Sequence, residues 1–470
     1  MGKSFFISVI LAIALIDIIG CSKEDFTNEE EITDPIVDPD GQGPIDGGTY
    51  YVATWGNNAN DGSFEKPWAT WQKAINMAKA GDTVYIRGGV FYPTTTIEIS
   101  PRDGKGRNGT YYNYVHFLNY PGETPVFDFV NSNPPGNYSD GIDLTYANFI
   151  HIKGVTIRNV QQKKDNVEVL GFYANNSSNL LIENVSIHDC GGNAFRYAGA
   201  MGYYGINYDS TYFINCDAYN NCDAKPREPG ATLGGAADGF KSWNEPGSYL
   251  VFRGCRAWNN SDDGFDPGTD VVTIIDNCWS FNNGLLDGDG TGFKTGGMWH
   301  DNGSKITREV TNCIAAGNTA SGFFLLEYPD YFRTNARIYN NFSYANEGSG
   351  FSVSRNEARP KILAIWKNNI AFANESFPFM NAYQEYAESN NSWKRVDGYP
   401  GYENRYNLTA ADFLSLDINE LDNPRKDDGS LPDVNFGHLN STSKLKKAGT
   451  NIGMSQIPDI GIDWNYLDKK

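Results

Sequence analysis

Between about residues 150 and 400, apolar residues come in short β-branched or aromatic runs, each closed by Gly, Asn or Asp. No helical periodicity joins the runs, so they predict strands separated by tight turns. The runs also recur. INCDAYNN (214–221), RGCRAWNN (253–260), DNCWSFNN (276–283), TNCIAAGN (311–318), YNNFSYAN (339–346) and KNNIAFAN (367–374) share one plan: Cys or Asn, a variable residue, Ala or Ser, and a closing Asn. ENVSIHD (183–189) is a weaker copy. A second phrase follows each of the first five: DGFK (238–241), DGFD (263–266), TGFK (291–294), SGFF (321–324) and SGFS (349–352).

Self-similarity at this spacing, about 23 to 39 residues, means stacked supersecondary units. An all-β, right-handed parallel β-helix fits best, with coils about 4.8 Å apart and equivalent residues in ladders. Cys216, Cys255, Cys278 and Cys313 would form one inward ladder, continued by Asn341 and Asn369. Phe240, Phe265, Phe293, Phe323 and Phe351 would form another. A propeller is the rival fold, but its blades require four strands in about 40–45 residues at a steadier period.

The ends differ from the middle. Residues 50–92 begin with a strand; then Pro67 opens a helical pattern with Trp71, Ile75 and Ala78 on one face, closed by Gly81. This helix is expected to cap the first coil and protect its open edge. The expected β-helix domain spans 49–402. The tail 403–470 is irregular, with a short helix candidate at LTAADFLSLD (408–417), and is expected to cap the other end.

Residues 1–20 read as an export signal: a Lys, an apolar run interrupted by Asp17, and a lipobox-like ending at Cys21. An acidic, Pro- and Gly-rich stretch, 21–48, follows as a solvated tether. These features predict an exported bacterial lipoprotein, at the outer membrane, cell surface or periplasm, that meets a membrane only through lipid on Cys21. A net charge of −19 argues against nucleic acid. No dimerisation signal is present, so a monomer is expected. Of the remaining cysteines, Cys190 and Cys222 fall off the ladder and could pair.

Aligning the second phrases places Asp238 and Asp263 at one position, and Lys241, Asp266 and Lys294 at another. Asp238, Asp262, Asp263 and Asp266 can then converge at one edge of two coils. Four hard oxygen ligands suit Ca²⁺, which takes six to eight oxygens in adaptable geometry. Asp before Gly is also ordinary turn chemistry. A solvated acidic edge, however, has no use for a Lys in the same column on the next coil. The insertion GLLDGDG (284–290) adds Asp287 and Asp289, whose roles the pattern leaves open.

The AADGFK…SDDGFD…GTGFKTGG series (236–297) resembles the active site of family 9 polysaccharide lyases, the pectate-lyase-type β-helix enzymes. The resemblance covers most of 50–400 as a fold pattern and about 60 residues as motif. It implies that Asp238, Asp262, Asp263 and Asp266 hold calcium and that Lys294 is the catalytic base. It also implies an acidic pectic substrate, pectate or rhamnogalacturonan.

The chemistry is coherent on the residues alone. Uronic acid polymers can be cut by β-elimination, in which a base takes the proton alpha to the C6 carboxylate. A Lys titrates ordinarily near about 10.4 and must lose its proton to act, so partial burial and a nearby cation are expected to lower it. Lys241 and Arg256, on nearby coils, could contact other substrate carboxylates, and His300 could line the cleft. Two rival functions remain. A polygalacturonase-like hydrolase uses clustered Asp without metal, but the Gly-His-Gly and Arg-Ile-Lys patterns expected of it do not occur. A non-catalytic carbohydrate binder would be indifferent to Lys294.

Overall fold

The computed structural model describes residues 45–99, 108–133, 138–199, 210–244, 249–269, 272–296, 306–326, 335–353, 364–381, 386–396, 402–452 and 457–464. The export signal, Cys21 and the tether up to residue 44 lie outside the described residues, as does His300.

Each coil lays down three strands on three faces. One coil comprises Tyr249–Arg253, Arg256–Trp258 and Phe265–Thr269; the next comprises Val272–Asp276, Trp279–Phe281 and Phe293–Gly296. Every face pairs in parallel with the coil below, as Val251 with Ile274, Arg256 with Trp279, and Phe265 with Phe293. Parallel crossovers of this kind wind right-handed. Strand Glu168–Glu183 turns from the third face into the first and joins them into one 21-stranded sheet beside a 10-stranded second face.

Two corners per coil explain the repeat's plan. The residue before the Cys or Asn, and the residue before the closing Asn, both take positive φ: 53° and 54° at Asn215 and Asn220, 52° and 54° at Asn277 and Asn282, 56° and 51° at Asn340 and Ala345. Asn tolerates this left-handed region better than other side-chain-bearing residues. The closing asparagines then bond from rung to rung. Asn221, Asn260, Asn283, Asn318, Asn346 and Asn374 form a chain of amide contacts of 2.8–3.0 Å. The phenylalanine ladder runs from Phe195 through Phe240, Phe265, Phe293 and Phe323 to Phe351, with centroids 4.7–4.9 Å apart and rings near parallel. The four ladder cysteines are fully buried, and the column continues as Cys313 N–H donates to Asn341 Oδ1 at 2.9 Å. Cys190 and Cys222 do not pair: both are free thiols, linked through Cys222 N–H to the Cys190 carbonyl at 2.8 Å.

The N-terminal helix is Trp71–Met77, and Thr70 rather than Pro67 opens it, accepting from Lys73 N–H at 3.2 Å. Residues 67–68 are occupied elsewhere: Trp68 N–H donates to the Tyr51 carbonyl, and Asn57 N–H to that of Pro67. Trp71 packs on Phe117 and Phe127, closing the first coil. At the far end Trp393 lies flat on Phe379, and the hairpin Trp393–Arg395 with Tyr402–Asn404 ends the parallel stack.

Among its described residues, the tail beyond that hairpin does not cap the end. It runs back along the outside of the second face, because that face points apolar side chains outward. Phe413, Leu421, Leu431, Phe436, Leu445 and Ile460 bury Trp258, Trp279, Phe281, Ile314, Phe342 and Ile370. The helix candidate at 408–417 is one 3₁₀ turn, Ala410–Asp412.

Asn283→Ala is expected to cost about 2–4 kcal/mol, because it strips partners from Asn260 and Asn318 in a buried chain of amides. Urea denaturation reads the loss; a midpoint within experimental error of the parent would mean that the ladder contributes nothing.

Candidate active site

The phrase Asp-Gly-Phe sits where the chain leaves the second face and enters the third. Gly239 N–H donates to the Asp263 carbonyl at 3.0 Å, and Gly264 N–H to that of Thr291 at 2.9 Å, so Asp238, Asp263 and Thr291 occupy successive rungs. The intervening glycine has no alternative, since a Cβ on Gly264 would lie 2.0 Å from Ser280 Oγ. Past the inward phenylalanine, Lys241 pairs with Asp266 on the outward side of the third face. Lys294, just after Phe293, belongs to the following coil.

Register therefore brings the predicted acids and Lys294 together. Ligand oxygens of Asp238, Asp263 and Asp266 lie within 4.8 Å of one another, and so do those of Asp262, Asp263 and Asp289. Asp263 belongs to both groups. Lys294 Nζ is 2.9 Å from Asp263 Oδ2 and 3.0 Å from Asp289 Oδ2; Lys241 Nζ is 2.7 Å from Asp238 Oδ2 and 2.9 Å from Asp266 Oδ2. Thr291 N–H donates to Asp263 Oδ1 at 2.7 Å, and Asp289 N–H to Asp262 Oδ1 at 3.0 Å. Asp238 Oδ1 is buried and has no hydrogen-bond partner.

Asp238, Asp262 and Asp263 are buried beside like charges, and their acidities show it. Burial, then Asp238 and Asp263, push Asp262 up to about 9. Burial and the same crowding push Asp263 to about 7, against the pull of Lys294, and also raise Asp238. For Asp266, Lys241 and Lys294 outweigh burial and hold it below the usual carboxylate range. Burial alone would lower Lys294, as the sequence suggested. Instead Asp263 and Asp266 outweigh burial and drive it well above the ordinary lysine range, so Lys294 stands here as a held ammonium.

Arg256 is elsewhere. Its guanidinium faces outward on the second face, 2.9 Å from both Asp217 oxygens, and donates to the Leu421 and Asn423 carbonyls beneath the tail. Arg425 of the tail meets the same carboxylate at 2.7 Å. Arg256 is thus a buried clamp, and the expectation that it contacts substrate is corrected. Asp287 stays at the surface loop, its N–H bound to the Leu233 carbonyl.

One participant escaped sequence reading. Asp223 is buried, accepts from Ser261 Oγ at 3.0 Å and from Ala236 N–H at 3.3 Å, and so ties together the segments that deliver Asp238 and Asp262. The signal existed: Asp223 stands two residues after ladder Asn221, as Asp262 does after Asn260.

A family model described as "Pel9A-like, right handed beta helix region" matches residues 50–407. Pectate lyase L of Dickeya dadantii (strain 3937) is 31% identical over 438 residues, covering 88% of this chain and 89% of that protein. A solved rhamnogalacturonan lyase superposes with a TM-score of 0.69 at 27% identity, covering 84% of this chain and 97% of its own. The crystal structure of pectate lyase Pel9A gives 0.63 at 25%, covering 89% and 97%.

The clamp yields a prediction that separates it from the site. Burial opposes ionisation of Asp217, but Arg425 and Arg256 outweigh it and hold the carboxyl below its ordinary 3.8. A folded value depressed in this way stabilises the protein above the unfolded pKa, and the gain is lost as pH falls. Asp217→Asn should cost about 3–5 kcal/mol by leaving two buried guanidiniums without their anion. The tail 403–464 should become protease-sensitive at neutral pH as the parent does only in acid. A variant as protease-resistant as the parent would remove the clamp's role.

Proposed function

The chain belongs to the Pel9A-like family of right-handed β-helix polysaccharide lyases, and on that footing we propose that it cleaves a pectic uronic acid polymer by calcium-dependent β-elimination. Asp238, Asp262, Asp263 and Asp266 would hold the ion, and Lys294 would be the base. One observation carries the reading: Lys294 Nζ lies 2.9 Å from Asp263, whose carboxylate shares a 4.8 Å cluster with Asp238 and Asp266. The residues fit a hard divalent cation. Their donors are all carboxylate oxygens, they crowd where like charges repel, and Asp238 Oδ1 is buried without a partner.

Bound Ca²⁺ would neutralise the sugar carboxylate and draw off the charge of Asp263 and Asp266 that keeps the proton on Lys294. Lys294, its ammonium proton passed to solvent water, then takes the C5 proton of the uronate as the free amine. The electron pair left behind forms the C4–C5 double bond, and the C4–O bond breaks with its electrons on the departing oxygen, which takes a proton from water; the hydroxide so formed takes back the proton held by Lys294. Asp289, 3.0 Å from Lys294 Nζ on the exposed side, orients the amine from the solvent edge.

Lys294→Ala should lower turnover about 10²–10⁴-fold while leaving the fold intact. Chelation with EDTA should stop the parent enzyme, and added Ca²⁺ should restore it. Ultraviolet absorbance of the unsaturated product on polygalacturonate and on rhamnogalacturonan reads both effects and ranks the substrates. Reducing ends formed without that absorbance would mean hydrolysis and end this reading.

Because Asp262 and Asp263 are raised to about 9 and about 7, uptake of the ion must expel protons. Calcium affinity should therefore climb as pH rises from about 6 to about 9, by calorimetry across buffers. Affinity independent of pH over that range would place calcium away from these two acids.

A further inference from the structure

The cluster already contains a cation that the chemistry above does not use. Lys241 bridges Asp238 Oδ2 at 2.7 Å and Asp266 Oδ2 at 2.9 Å, with its side chain only 18% exposed. These are two of the three carboxylates within 4.8 Å of one another. Calcium coordinates oxygen at about 2.3–2.6 Å. An ion bound to those same two carboxylates would compete with the ammonium for their oxygens and repel it as a like charge in a poorly solvated pocket. Lys241 and Lys294 each pair with two carboxylates here, so the lysines already offset part of the repulsion.

Resting on the calcium reading, we propose that Lys241 is a stand-in cation: it holds Asp238 and Asp266 together without metal, and calcium must displace it to enter. The displaced ammonium has a defined place to go. Lys241 lies in the outward column of the third face, in register with Arg196 below and Asp266 above. Turned outward, it would meet a carboxylate of an acidic sugar only in the loaded enzyme, making it a positioning residue that couples metal to substrate.

Two measurements test this. Calorimetry on Lys241→Met should show calcium bound about tenfold tighter or more than in the parent. Without metal the variant should melt lower than the parent, and the Michaelis constant for polygalacturonate should rise. So that the test does not depend on that variant folding, the parent is also acylated at its lysines with and without Ca²⁺, followed by peptide mapping. Lys241 should react several-fold faster in the loaded protein. Equal or weaker calcium affinity in a folded variant, or a Lys241 whose reactivity calcium leaves unchanged, overturns the stand-in role while calcium-dependent cleavage still stands. A parent that binds no calcium overturns both.

Discussion

Buried carboxylates crowded within 4.8 Å repel one another, and left to themselves they would move apart or take up protons. Their backbone allows no such escape. Asp238, Asp263 and Asp266 adjoin Gly-Phe pairs whose rung spacing is fixed by stacked rings 4.8 Å apart. Two residues before Asp262, the amide of Asn260 is held from both neighbouring coils. A one-residue slip would throw Phe265 to solvent and Asp266 inward, so the core enforces the register that the acids oppose. Protonation, internal lysines and a divalent ion are the remaining ways to relieve the repulsion. The raised pKa values of Asp238, Asp262 and Asp263 accord with the first, and the two lysine bridges show the second.

The same logic separates the cluster from the other buried ion network. Asp217 is fully flanked by Arg256 and Arg425, two planar cations matched to one carboxylate, and has no use for a metal. Its role is mechanical: it pins the tail over an outward apolar face that would otherwise be wet. Arg256 is only six residues from Asp262, yet a corner separates them, and in a coil a corner moves a side chain to a different face.

That distinction marks how far the sequence was legible. The parallel β-helix, the Cys-to-Asn column and the phenylalanine ladder follow from aligned phrases, because a solenoid turns sequence period directly into spatial column. Asp238, Asp262, Asp263, Asp266 and Lys294 could be brought together for the same reason. Lys241 was placed in the right column, but its ion pairs were not foreseen. Arg256 was misjudged because a place on a nearby coil does not fix which face of that coil the side chain occupies. The tail was misjudged because capping an end and covering a side call for the same apolar residues. Asp289 depends on a loop that interrupts the repeat, where alignment supplies no column, whereas Asp223 shares the offset of Asp262 from its ladder Asn and was passed over.

Charge poses the last question: how a chain of net charge −19 approaches a polyanion. Charges more than about 8 Å apart are largely screened at physiological salt, so the total matters less than the local pattern. On the outward column of the third face, Arg196 and Lys241 precede Asp266, Lys294 follows it, and Phe324 and Ser352 continue it uncharged. Arg196 is itself engaged by Glu168. Lys241 is matched by Asp238 and Asp266, and Lys294 by Asp263 and Asp289, so the column's cations are already paired before any ion arrives. A divalent ion at the aspartates would add positive charge where the proposed uronate would bind. The negative whole and the anionic substrate are therefore compatible, provided that the positive charge is added locally and last.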